Sequence, residues 1–219
     1  MAHVAPGHTR AVTATSITNG PLRYVALGDS YTIGTAVAEH ERWPDQLMTR
    51  LDDATPGLRL VANLAVNGFT SADVVRVQLP RLEELRPGFA SLLVGVNDVV
   101  RRVPEAVYRS NSTQILDELL RWLARDRIVT VATPDYTVTP AGADYGDPAQ
   151  QADGIRRVNG ILAELAAERG LRFVDVHELS LRAASDRALV ADDGLHPSGA
   201  QYRLWVDRIA PVVEELLRA

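Results

Sequence analysis

Five short runs of almost unbroken apolar, β-favouring residues alternate in this chain with longer amphipathic stretches, and that alternation leaves few folds open. The runs are Leu22 to Leu27, Leu58 to Leu64, Phe89 to Val94, Ile128 to Ala132 and Leu171 to Val176. A strand that is apolar at successive positions has no polar face to offer water, so its sheet must be covered on both sides. The intervening periodicity predicts helices near Trp43 to Asp53, Ser71 to Leu85, Pro104 to Arg125, Gln150 to Arg169 and Ser198 to Arg218. Pro44 and Pro104 suit first-turn positions, Gly170 a helix stop and Ser198 an N-cap. Strands separated by helices are parallel strands with crossover connections. The expectation is an α/β protein, a three-layer α/β/α sandwich of about five parallel strands, formed as one domain over residues 21–219. Residues 1–20 are rich in Ala, Thr, Gly, Pro and His without a continuous apolar core, which reads as a flexible N-terminal arm rather than a signal peptide.

Composition narrows the function classes. A net charge of -5 over 219 residues leaves no basic field for a phosphate backbone, so nucleic acid is not an expected partner. No apolar stretch approaches the roughly 18 residues of a spanning helix, so no integral membrane segment is expected. The absence of cysteine removes disulfides, thiolate metal sites and a cysteine nucleophile. No His-Glu-x-x-His or comparable ligand spacing occurs, so neither metal nor other cofactor is expected. All 23 basic residues are arginine, which reads as the coding bias of a GC-rich bacterial genome. The chain is expected to be cytoplasmic, or secreted if a signal precedes the given sequence; its oligomeric state is left open.

In a doubly wound sheet, ligands bind beyond the carboxyl ends of the strands. Ser30, Gly68, Asn97 and the segment from Pro134 to Pro148 each follow a strand on that edge, and the loop Asp193 to His196 can reach it. Serine, histidine and aspartate are the parts of an acyl-transfer machine, because a serine hydroxyl needs an imidazole to take its proton and a carboxylate to orient that imidazole. Ser30 is a candidate nucleophile, although capping a helix is the commoner task for a serine after a strand. His196 is the candidate general base, with Asp193 as its orienter and Asp192 as a competitor. His177, beside an apolar strand, is a rival base that reads better as structural. Asn97 could donate its side-chain amide to an oxyanion or simply end its strand in a turn. Gly68 could bring a backbone N–H to the same oxygen or be a plain turn glycine. The first turn lacks the glycine-rich cradle of a nucleotide-binding protein, and Gly-Asp-Ser does not match the Gly-x-Ser-x-Gly elbow.

Gly28-Asp29-Ser30, Gly68, Gly95-Val96-Asn97-Asp98 and Asp193-Gly194-Leu195-His196-Pro197, in this order, resemble the four blocks of the GDSL or SGNH hydrolases. The resemblance runs from Tyr24 to Tyr202; Tyr31 stands where the name motif has leucine, a variation familiar in the family. It implies the flavodoxin-like SGNH fold and a metal-independent serine esterase or lipase. It further implies Ser30 as nucleophile, an oxyanion hole of Ser30 N–H, Gly68 N–H and the Asn97 amide, and a triad completed by Asp193 and His196. The expected reaction is hydrolysis of carboxylic esters of small molecules or saccharides through an acyl-enzyme on Ser30. Short to medium acyl groups are expected, since no separate lid domain is present and the long loop 134–148 is polar apart from Tyr136, Val138 and Tyr145, the candidate substrate-binding residues. The loop carboxylates Asp135, Asp144 and Asp147 are expected to disfavour anionic substrates such as acyl-CoA. The alternatives are a carbohydrate O- or N-deacetylase of the same fold and a non-catalytic binding module.

Overall fold

The computed structural model describes residues 21–51 and 57–218. The N-terminal arm and the last two residues of the helix expected to reach Asp53 lie outside the described residues. Strands β1 (Leu22–Gly28), β2 (Leu58–Asn63), β3 (Phe89–Leu93), β4 (Ile128–Val131) and β5 (Arg172–Val174) form one parallel sheet in the order β2-β1-β3-β4-β5. The helices that matter below are α1 (Ser30–Ile33), α2 (Trp43–Leu51), α3 (Val96–Val100), α4 (Glu105–Trp122), α5 (Pro148–Glu168) and α6 (Gly199–Arg218).

The two-residue alternation of each strand splits its side chains between two helical layers. Tyr24 and Ala26 of β1 face Trp43 and Leu47 of α2 and Trp205 and Ile209 of α6. Val25 and Leu27 face the opposite layer, with Ile115 and Leu119 of α4 and Leu162 of α5. Full burial of each large apolar side chain stabilises by about 1.5–3 kcal/mol, which is why both faces of the sheet had to be apolar.

Local geometry departs from the expected elements in three places. The stretch 71–85 is helical throughout but changes type: its middle, Val74–Gln78, widens into a π-turn, and Leu79–Arg81 tightens into a 3-10 turn. The widening turns Gln78 into the interior, and Pro80, which has no N–H to give, sits in the tightened turn that follows. Pro104 does not occupy the first turn of α4; it is the N-cap, in extended conformation, and its carbonyl accepts from Val107 (2.8 Å) and Tyr108 (3.1 Å). The short helices α1 and α3, four and five residues long, lie below the length that a hydrophobic period can reveal. Gly170 and Ser198 act as expected. Gly170 has φ +66° and ends α5 with Gly170 N–H to Ala167 O (3.0 Å) and Leu171 N–H to Ala166 O (2.9 Å).

The chain leaves β1 toward β2 on one side and returns to β3 on the other. The crevice beyond the carboxyl ends of β1 and β3 is therefore the switch point of the sheet, where this class of fold binds its ligands.

Candidate active site

Strand β1 delivers Ser30 to that crevice through a crowded turn. A Cβ on Gly28 would lie 2.3 Å from the Leu93 carbonyl oxygen, so a side chain there would force β1 and β3 apart. Gln78 grips the Gly28 peptide groups from below, its Oε1 accepting from Gly28 N–H (2.9 Å) and its Nε2 donating to Gly28 O (2.7 Å). Asp29, rather than Ser30, caps α1, its Oδ1 accepting from Tyr31 N–H at 3.0 Å. Ser30 is thus the first residue of the helix, with no intrahelical partner for its N–H and its hydroxyl free of a capping role. Burial pushes the Asp29 carboxyl up to about 8, with the nearby Asp98 charge adding to the rise against the Tyr31 hydrogen bond.

Gly68 and Asn97 approach from β2 and β3. Gly68 lies in a turn closed by Phe69 N–H to Val66 O (3.2 Å) and has φ +80°, a conformation that favours glycine. Asn97, on α3, donates from Nδ2 to Phe69 O at 2.9 Å, which fixes the orientation of its amide and leaves the second amide hydrogen uncommitted to that bond. Its neighbour Asp98 is buried and accepts from both the N–H and the hydroxyl of Ser71, bolting α3 to the stretch 71–85; burial raises its pKa against those hydrogen bonds. Asn97 lines the cleft directly, whereas at the Gly68 turn it is Asn67 that lines it.

His196 comes from a loop tied back on itself by Ala191 N–H to His196 O (2.8 Å) and Gly194 N–H to Ala191 O (3.0 Å). Asp193 holds the imidazole at Nδ1, 2.6 Å from Oδ2, while Oδ1 accepts from the backbone of Leu195 (2.9 Å) and His196 (3.0 Å). Partial burial would raise the Asp193 carboxyl, but the His196 ring and the two backbone donors together hold it below the usual carboxylate range. The Tyr31 ring packs on the imidazole with centroids 5.5 Å apart. Asp192 is exposed and lies along a separate groove with Arg187 and Ser198, so Asp193 is the partner of the ring. Ser30 and His196 line the same cleft, without a hydrogen bond between them among the described residues. His177 lies elsewhere, its Nε2 3.6 Å from Asp135 Oδ2, and does not line that cleft.

The cleft is small, about 70 Å³, and its walls beyond the reacting groups are Val96, Val100, Leu195, Tyr136 and Tyr145. The two tyrosines meet edge to face at 5.8 Å; Tyr136 is buried, with its hydroxyl donating to Gln151 Oε1 (2.9 Å), while Tyr145 is 44% exposed at the rim. Val138, expected beside them, instead packs against Ala183, Leu189 and Val190. The turn made by Thr139 N–H to Tyr136 O (3.0 Å) carries it away from the cleft. Of the loop carboxylates, Asp135 is buried against Thr137 and His177, Asp147 caps α5 through Gln150 N–H (2.9 Å), and Asp144 and Asp147 are exposed. Among the described residues no group of three His, Asp or Glu side chains is placed to hold a metal ion. Tyr31, Asn67, Val96, Val100 and Leu195 also line the cleft; the sequence assigns none of them a site role, though all but Val100 adjoin residues to which it does.

Residues 26–204 match the model of the GDSL-like lipase/acylhydrolase family. No curated protein gave a match. Among solved structures, TesA superposes with a TM-score of 0.71 at 20% identity, covering 89% of this chain and 99% of that one. The psychrotrophic esterase EstA from Pseudoalteromonas sp., inhibited by monoethylphosphonate, gives 0.69 at 18% identity, covering 90% and 99%. An acetylxylan esterase from Geobacillus stearothermophilus, in a catalytic mutant, gives 0.69 at 18% identity, covering 89% and 95%. At such identities these likenesses concern the fold.

Proposed function

Because the chain belongs to the GDSL-like lipase/acylhydrolase family, and is on that ground a carboxylic ester hydrolase, we propose that it cleaves esters through an acyl-enzyme on Ser30. The observation that carries this reading is the Asp193–His196 pair, 2.6 Å from Oδ2 to Nδ1, opening into the cleft that Ser30 and Asn97 share. With Nδ1–H held by Asp193, Nε2 is the basic nitrogen, and it takes the Ser30 proton as Oγ attacks the ester carbon. The carbonyl oxygen gains charge beside the Asn97 amide, held in advance by its bond to Phe69 O, and the N–H groups of Ser30 and Gly68. His196 then protonates the departing alkoxide, and water repeats the sequence to release the acid.

A cleft of about 70 Å³ walled by valine, leucine and tyrosine favours short acyl groups such as acetyl. Tyr145, exposed at the rim, offers an aromatic face to the alcohol half of the ester, which supports a second reading, removal of acetyl groups from a saccharide.

The test is an ester panel of graded acyl length with acetylated xylooligosaccharides alongside, measured on the wild-type protein and on Ser30→Ala. Turnover should decline beyond about four acyl carbons, Ser30→Ala should retain only the residual rate of oxyanion binding, and a serine-directed phosphonate should add to Ser30. A tenth or more of wild-type turnover in pure Ser30→Ala would remove the acyl-enzyme from this mechanism. Faster turnover of the acetylated saccharide than of a simple aryl acetate would select the second reading.

A further inference from the structure

Asn97 and Arg101 stand four residues apart at the start and the C-cap of α3, hence on one helical face, and both reach the turn that carries Gly68. Asn97 Nδ2 donates to Phe69 O at 2.9 Å, and Arg101 Nη2 donates to Gly68 O at 2.7 Å. Two successive carbonyls of the turn are thus held from a single helix. The other side of the turn is held as well, since Thr70 gives its N–H (3.0 Å) and its hydroxyl (2.8 Å) to Asp73 Oδ2. The backbone after α3 is shaped to present the arginine: Arg101 N–H bonds Asn97 O (3.0 Å), Arg102 turns into the left-handed region at φ +54°, and Val103 N–H closes on Asp98 O (2.8 Å). The Arg101 side chain is exposed, so the bond to Gly68 is not an incidental result of packing in a crowded interior.

From this geometry we propose that Arg101 is a positioning residue for the oxyanion hole. By holding the Gly68–Phe69 peptide it fixes the turn beside the Asn67–Gly68 peptide, whose N–H is the one that faces the developing oxyanion at the moment of reaction. A turn with φ +80° at a glycine has many other conformations open to it, and ordering it in advance removes that cost from the chemical step. The effect must appear in the transition state, because the ground-state carbonyl is a weaker acceptor than the oxyanion. The inference rests on the proposed role of Ser30, Gly68 and Asn97.

The experiment measures kcat and KM on an uncharged short-chain aryl ester for Arg101→Met, Arg101→Lys, Asn97→Ala and Ser30→Ala, with melting temperatures for each. Arg101→Met should lower kcat about tenfold with KM within about twofold and an unchanged melting temperature. Arg101→Lys, which keeps a cationic donor, should recover most of that loss. Guanidinium chloride at low millimolar concentration should raise kcat of Arg101→Met severalfold and leave the wild type unaffected. Wild-type kcat in Arg101→Met, or a loss that follows the melting temperature and is rescued by neither lysine nor guanidinium, would overturn the role of Arg101. If that happens while Asn97→Ala loses about 10²-fold and Ser30→Ala is inactive, the mechanism stands without Arg101. Retained activity in Ser30→Ala would overturn both.

Discussion

His196 and His177 each stand beside an aspartate on the rim of the same sheet, yet the two pairs are built differently. At His196 the carboxylate meets Nδ1 at 2.6 Å and spends its other oxygen on the backbone of the same loop, so ring and acid are fixed together with Nε2 left for the cleft. At His177 it is Nε2 that faces the acid, at 3.6 Å, and Asp135 is committed more closely to Thr137, through N–H (2.9 Å) and hydroxyl (2.6 Å). His196 shares its cleft with Ser30, whereas His177 lines a surface groove with Asn159 and Phe173. Identical residue types therefore give a ring open to the cleft of Ser30 in one place and a tether in the other. The difference lies in which nitrogen the acid takes and in what the remaining nitrogen can reach.

The sharpest way to break this contrast is to remove each ring in turn. His196→Gln should lower kcat by about 10⁴-fold or more on a short ester, while His177→Gln should remain within about threefold of wild type. Equal losses in the two variants, at matched folding, would mean that the second pair takes part in the chemistry.

The acids give the next largest effect. Asp193→Asn should slow turnover by roughly 10³ to 10⁴-fold, because an amide in place of the carboxylate favours the wrong tautomer, and Asp192→Asn should be nearly silent. The reverse ranking, read from kcat of the folded variants, would move the orienting role to Asp192.

The smallest effect is one of stability and belongs to the tether. Burial would raise the Asp135 carboxyl, but the nearby His177 ring and the hydrogen bonds from Thr137 together outweigh it and hold it below the usual range. In the unfolded chain the same group titrates near about 3.9, so between the two values the unfolded state binds more protons. The contribution is accordingly present in full above about pH 5 and is lost as the pH falls through the depressed folded value. Melting curves from pH 6 to pH 3 should show wild type losing more stability than Asp135→Asn. Parallel curves would show that Asp135 is no better held in the folded chain than in the unfolded one.

Much of the site could be read from the chain because its parts are local. The Asp193–His196 pair is made within three residues, by one loop whose own backbone feeds the carboxylate, and Ser30 and Asn97 each follow directly on a strand. The conversion of Val138 into a satellite of Ala183 and Leu189 was not legible, since apolarity says that a side chain will be buried and not which of two neighbouring clusters will bury it. Arg101 was equally hidden: an exposed arginine has no periodicity to betray it, and its partner is the carbonyl of a residue 33 positions away.

The sequence by itself determined the parallel three-layer sandwich, because strands apolar on successive residues can be satisfied only between two layers of helices. It also supplied the candidate reacting groups, since a hydroxyl, an imidazole and a carboxylate carry their chemistry in any fold. Tertiary structure alone decided which histidine and aspartate are paired beside the cleft of Ser30. The order β2-β1-β3-β4-β5 brings the ends of β1 and β3 together at one crevice, and the loop before α6 closes over that crevice and not over His177. Burial likewise raises the pKa of Asp29 while the ring and loop N–H groups around Asp193 lower its own, a difference of solvation and hydrogen bonding that residue type cannot encode.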